Sequence, residues 1–222
     1  MKVPFVSKGR VQKLHRASIA EAWFTDTFEV DDVSYRYGQA YVDYRSRFGQ
    51  IYPIKSRRTG VAWSFETLCA DIVTPHLLIR DNIAENTGGK LMEICERKGV
   101  GSAFICPYRK EMDYAEGYLG RMCAMATYAL VYAGAPLFFW RWAILAAVFV
   151  NNITACYYSR EKLWATPHEL MYGEPYADSS VVMPWGCGAL ILLEKHQQTK
   201  FKSRCILVIF LHYATSHPLH TY

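Results

Sequence analysis

Three strand-like segments precede the first helical one in this chain, and beyond it strands and helices alternate; few architectures accept that order. Trp23-Phe24-Thr25-Asp26-Thr27-Phe28 is aromatic and β-branched, with a single carboxylate inside it. Residues 36–43 and 48–54 form two more strand-like runs around the turn-like Arg45-Ser46-Arg47, so a hairpin or meander opens the fold. A helical pattern begins at Thr59-Gly60, with Val61, Phe65, Leu68 and Ile72 at three- and four-residue steps, and Pro75 closes it.

Residues 76–80 are a short apolar strand that runs straight into Asp81. Leu91, Ile94 and Cys95 mark a helix stopping at Lys98-Gly99, and residues 102–106 are another buried strand closed by Pro107. A long helix is expected from about Met112 to Val131, with Met122, Met125, Ala126 and Leu130 on its apolar side. The most apolar stretch, residues 136–150, holds Arg141 and is shorter than the roughly 20 residues a bilayer requires, so it reads as a buried helix. Short strands and loops follow, and the last clear strand covers residues 205–210. A meander that continues into alternating strands and helices indicates an α/β fold with a mixed sheet. The expected organisation is an irregular lead-in over residues 1–20, a core over 21–155 and a small helical and strand extension over 156–222.

With 222 residues, about half of them hydrophobic and a fifth charged, the composition is that of a globular chain and excludes a disordered one. The net charge of +5 is compatible with a polyanionic partner. Lys2, Lys8, Arg10, Lys13 and Arg16 form one basic run, and Arg45, Arg47, Lys55, Arg57 and Arg58 a second. A solvated face and a phosphate-tracking one remain equal readings of each. The seven cysteines are odd in number, without a C-x-x-C pair, and no secretion signal opens the chain. Reduced, buried thiols in an intracellular protein are the simple expectation. Zinc is not expected, because none of the seven histidines pairs with cysteine at ligand spacing.

Three carboxylates stand out by position. Asp26 lies inside the first strand, where a charge on the sheet face is costly unless paired or bound to a cation. Asp81 falls at the C-terminal end of a buried strand, where open α/β sheets place functional groups. Glu116, in the first turns of the long helix, follows Asp81 by 35 residues. If the first strand lies beside the Asp81 strand and the helix crosses their ends, the three converge. Convergent carboxylates repel one another and so call for divalent cations, Mg²⁺ or Mn²⁺ by their oxygen ligands. Two such ions about 4 Å apart can drive in-line phosphoryl transfer.

The wording around each carboxylate resembles the integrase of copia-type LTR retrotransposons. Trp23-Phe24-Thr25-Asp26-Thr27 resembles the first catalytic block of that family, and Leu78-Ile79-Arg80-Asp81-Asn82-Ile83-Ala84-Glu85 its R-x-D-N-G-x-E second block. The run from Cys106-Pro107-Tyr108 to Asp113-Tyr114-Ala115-Glu116 resembles the third. Val42-Asp43-Tyr44-Arg45-Ser46-Arg47-Phe48 and Ile51-Tyr52-Pro53-Ile54-Lys55-Ser56 are similar to its hairpin. Downstream, Phe139-Trp140-Arg141-Trp142-Ala143, Asn151-Asn152, Thr166-Pro167-His168-Glu169-Leu170 with Gly173-Glu174-Pro175, and Trp185-Gly186-Cys187 match further blocks in order. The resemblance spans about residues 21–213.

It implies an RNase H-like fold, a mixed five-stranded sheet flanked by helices. The implied activity is divalent-metal-dependent DNA 3′-processing and strand transfer by a retrotransposon integrase domain. Asp26, Asp81 and Glu116 would be both catalytic and metal-binding, using Mg²⁺ or Mn²⁺, with two ions when DNA is bound. Asn82 would support the second block and Tyr108 the loop over the site, while Arg109, Lys110 and Arg121 are candidates for meeting DNA. Element ends and target DNA would be the partners, in a homodimer or higher multimer, without a membrane, and the nucleus the place of action.

Several departures qualify the match. Ile83 and Ala84 stand where the family has a glycine and its small neighbour, and the third block is a residue short. Glu111 and Asp113 therefore rival Glu116, although helix phase after Ala115 favours Glu116. Asp31 and Asp32 read as a solvated turn, and Asp43 as a structural acid of the hairpin. Only His15 stands before the core where the family has a His/Cys zinc segment, and the C-terminal extension is missing, so a core fragment of a polyprotein is expected. The alternatives are a metal-dependent nuclease and an inactive remnant that at most binds nucleic acid.

Overall fold

The computed structural model describes residues 18–213 apart from 33, 82–88, 106–113, 159–160, 177–181 and 201. Its centre is a five-stranded sheet of β1 (Ala22–Glu29), β2 (Tyr37–Asp43), β3 (Gly49–Ile54), β4 (Leu77–Arg80) and β5 (Gly101–Phe104). The order is β3-β2-β1-β4-β5, antiparallel through the opening meander and parallel from β1 to β4 to β5. The meander turns at Asp43, whose carboxylate accepts from the backbone of Ala20 (3.0 Å), Arg45 (3.1 Å) and Ser46 (2.7 Å) and from the Ser46 hydroxyl (2.8 Å). Asp43 is thus the structural acid of the hairpin that its position suggested.

Among the described residues, five α-helices cover the sheet and its extension: α1 (Arg57–Asp71), α2 (Lys90–Lys98), α3 (Tyr114–Ala133), α4 (Trp140–Ile153) and α5 (Pro167–Tyr172). Side chains alternate along a strand, so each strand feeds two cores. Ala22, Phe24, Ala40, Val42, Ile79 and Ala103 pack against α3 and α4 on one face. Trp23, Tyr41 and Leu78 pack against Phe65 and Leu68 of α1 and Leu91 and Ile94 of α2 on the other. β4 is apolar throughout except at its last residue because both its faces are covered. Gly99, in the left-handed region at φ 69°, ends α2 as the Lys98-Gly99 signal predicts.

Two long-range polar contacts fasten the layers. Asn152, buried at the end of α4, donates to the Gly49 carbonyl (2.8 Å) and accepts from its N–H (3.0 Å), tying the helix to the edge strand β3. A Cβ on Gly49 would run into the Tyr118 ring of α3, so glycine lets helix and strand close up there. Asp32 is an anchor, not the solvated turn that its neighbourhood suggests. It accepts from the backbone and hydroxyl of Ser34 and from the Trp140 indole (2.9 Å), and the Ser34 N–H holds its carboxyl below the usual range.

Beyond α4 come a hairpin of β6 (Cys156–Tyr158) and β7 (Leu163–Ala165), then α5, then a ribbon of β8 (Gly188–Leu192) and β9 (Cys205–Ile209). The architecture is α/β, a mixed five-stranded sheet flanked by helices. No described helix is long and apolar enough to cross a membrane. Cys69, Cys95, Cys123, Cys156, Cys187 and Cys205 are free, and burial pushes the Cys95 thiol up to about 11.

Candidate active site at the end of the central strands

β1 is the middle strand, and its register with β4 sets the geometry of the site. The parallel pairing runs from Ala22 opposite Leu77 to Thr25 opposite Arg80, so the next step sets Asp26 beside Asp81. Asp81 directly follows the last residue of β4, at the C-terminal end of the parallel strands. Alternation puts Asp26 on the face of Ala22 and Phe24, which is the face covered by α3 and α4. Asp81 continues the phase of Leu77 and Ile79 toward the same face. Asp26 is half-buried and accepts from the Thr27 N–H at 2.7 Å, and Asp81 is exposed.

The opposite face of β1 holds the strand still around Asp26. The Thr25 hydroxyl donates to the Ala40 carbonyl (2.7 Å), Gln39 donates to Thr25 (2.5 Å), and Thr27 donates to Gln39 (2.5 Å). Gln39 and Thr25 are buried, and a satisfied buried network of this kind rigidifies its surroundings.

Glu116 comes from the first turn of α3. Tyr114 rests on Phe24 (ring centroids 5.2 Å apart) and on Tyr44 (4.9 Å), which plants the start of the helix over β1 two residues before Asp26. Ala115, Tyr118, Leu119 and Met122 are the buried face. At about 100° per residue, Glu116 lies roughly 160° around the helix from Tyr118. Tyr118 meets Gly49 of β3, and Glu116, on another side of the helix, is exposed. A carboxylate in the first turn is also favoured by the helix dipole.

The β1–β4 register therefore brings Asp26 and Asp81 side by side, and the start of α3, which bears Glu116, lies over β1. Among the described residues, no three His, Cys, Asp or Glu side chains are grouped closely enough to hold an ion jointly. All three carboxylates supply hard oxygen donors, the chemistry that Mg²⁺ and Mn²⁺ prefer. Arg121 is exposed on α3, where it donates to the Gly117 carbonyl at 3.3 Å. Asn82, Tyr108, Arg109 and Lys110, with the rivals Glu111 and Asp113, lie outside the described residues.

Arg80 was missed in the sequence, although the signal was present: in a strand, residue 80 shares a face with the apolar Leu78. Its side chain is fully buried beside Asp81, on the side of the sheet covered by α1 and α2. One guanidinium nitrogen donates to the Ser102 hydroxyl (2.7 Å) and approaches the Met92 sulfur (2.5 Å), and the group lies 5.1 Å from the Phe104 ring centroid. Nε and Nη1 have no partner among the described residues, and burial lowers the pKa.

No protein-family model matches the chain, and no curated protein does. Solved structures do. One similar structure is the integrase catalytic core domain of HTLV-2 in complex with magnesium, in a dimeric form. It is 14% identical with a TM-score of 0.54, and the match covers 70% of this chain and 98% of that one. The trimeric form of the same domain, also in complex with magnesium, is 13% identical with a TM-score of 0.53 over the same shares. The chain therefore has the integrase-like RNase H-like fold. At these identities the likeness is one of fold.

Proposed function

We propose that this chain is the catalytic core of a retrotransposon integrase of the copia type, and that it processes and joins DNA ends through Asp26, Asp81 and Glu116. The observation that carries the reading is the β1–β4 register, which sets Asp26 beside Asp81 at the strand ends of an integrase-like fold. The magnesium in the HTLV-2 cores supports the same cofactor here, Mg²⁺ or Mn²⁺.

Asp26 and Asp81 would hold the ions from the sheet, and Glu116 would close on them from α3. When bound, a pair of such ions lowers the cost of the attacking and leaving oxygens in an in-line displacement. The rest falls to the chain. The Thr25–Gln39–Thr27 network keeps Asp26 from shifting, and Tyr114 on Phe24 and Tyr44 fixes where the helix bearing Glu116 begins. Arg109, Lys110 and Arg121 would meet phosphates, an attraction that salt screens strongly. The dimeric and trimeric forms of the HTLV-2 core support action as a multimer, with element ends and target DNA as partners in the nucleus.

The test is nicking and strand transfer on a labelled DNA duplex with Mn²⁺, beside Asp81→Asn and Glu116→Gln. Activity should disappear in both variants while folding and most of the DNA binding remain. Activity that survives either substitution would overturn the triad. Absence of activity from folded wild-type protein that still binds DNA would replace this reading with that of a non-catalytic binding fragment.

A further inference from the structure

The ribbon of β8 and β9 presents one apolar face that nothing covers among the described residues. Its register pairs Gly188 with Ile209, Leu190 with Leu207 and Leu192 with Cys205, and alternation sets these on one face. Leu190, Leu192, Leu207 and Ile209 there are 71%, 66%, 77% and 62% exposed. The opposite face is better shielded: Ile191 and Ile206 are 42% and 47% exposed, and Ala189 and Val208 are half-buried. An isolated two-stranded hairpin is marginal in water, and soluble monomers rarely leave such a face open.

We propose that this face seats a second copy of the chain, the two ribbons stacking face to face about a two-fold axis level with the Leu190–Leu207 pair. The face carries no charge, so it accepts its own image, as a two-fold interface demands. The charges lie beyond it, in the connection between the strands, where Lys195, Lys200, Lys202 and Arg204 face a single acid, Glu194. An axis lying between the two ribbons, parallel to them and perpendicular to the strands at the level of this middle pair, sends the two basic tips to opposite ends, where they do not repel. The ribbon leaves the end of α3, where a Cβ on Gly186 would meet Ala133, and Val131 and Tyr132 nearby are 75% and 87% exposed. The four ribbon side chains alone expose on the order of 500 Å² per copy, near the lower end of a specific two-sided interface. The proposal stands independently of the catalytic reading.

The test is the mass of the full chain in solution, by light scattering or sedimentation, for wild type and two variants. Wild type should be dimeric and remain so at high salt. Leu207→Lys, which sets two cations together at the axis, should raise the dissociation constant by at least roughly 100-fold. Leu190→Glu should do the same, and circular dichroism should show both variants folded. Trp164→Lys, at a 72% exposed aromatic on the β6–β7 hairpin, should leave the mass unchanged. A monomeric wild type would refute the proposal. So would a dimer that tolerates Leu207→Lys, responds equally to Trp164→Lys, or dissociates at high salt.

Discussion

Completely buried at the end of β4, the Arg80 guanidinium has lost its water without a described carboxylate in return. Two of its nitrogens lack partners among the described residues, and each such donor costs about 1–3 kcal/mol when buried. Against this stand the bond to Ser102, worth about 1.5–3 kcal/mol because it is charge-assisted, and the Phe104 ring, worth about 1 kcal/mol. Arg80→Met keeps a long, flexible apolar stem in the same space and removes both sides of that balance. The expected result is a gain of about 1–2 kcal/mol, in line with replacements of buried ions by apolar groups. For a chain of this size that raises Tm by about 3–6 °C. Arg80→Lys keeps the charge while losing the planar fork and its stacking, and it should lower Tm. Thermal unfolding followed by circular dichroism, checked by urea midpoints, separates the cases. A fall of more than about 3 °C in Arg80→Met would refute the reasoning, because it would mean that the guanidinium is fully matched.

Two further outcomes test the frame of the site. Asn152→Leu should cost about 2–4 kcal/mol, because it strands the N–H and C=O of Gly49 in a buried setting; urea unfolding measures it, and a loss below about 1 kcal/mol would mean the clamp is replaceable. Burial outweighs the donors around Asp43 and raises its pKa, so the folded state binds that proton more tightly than the unfolded chain does. The stability from this linkage is fully present below the unfolded value of about 3.9 and is lost as pH rises through the folded one. Wild type should therefore lose part of its margin over Asp43→Asn between acid and neutral pH, and a margin that widens instead would show that the donors around the carboxylate win.

What could be read from the sequence was local. The meander shows in the alternation of aromatic and β-branched residues, α2 in the steps Leu91, Ile94 and Cys95, and its end in Gly99. α5 is too short for periodicity, yet Thr166-Pro167-His168-Glu169 is a capping box with proline at the first turn, and that signal predicts a helix start. The polar residues that join distant segments were not legible. Asp32 meets an indole 108 residues on, and Asn152 reaches a glycine 103 residues back. Nothing near either residue distinguishes such a partner from solvent.

The same division runs through the candidate site. Asp26 stands out because a carboxylate amid Trp23, Phe24 and Phe28 must have a reason, and Asp81 because it ends an apolar strand. That the two are neighbours follows from the parallel pairing of β1 with β4, a contact across more than fifty residues that no local pattern carries. Their positions differ in kind from that of Glu116. Asp26 lies within the β1–β2 ladder, with the Thr25–Gln39–Thr27 network behind it, and Asp81 follows directly on the last residue of β4. The glutamate depends on where a helix starts, which Tyr114 decides through Phe24 and Tyr44. On the proposed reading, an ion joining all three would draw Glu116 toward the sheet pair against carboxylate repulsion, and metal affinity would depend on that approach. If the three carboxylates hold Mn²⁺ as proposed, Tyr114→Ala should therefore weaken Mn²⁺ binding, measured by calorimetry, more than it lowers Tm, since Tyr114 is 44% exposed and contributes little to the core.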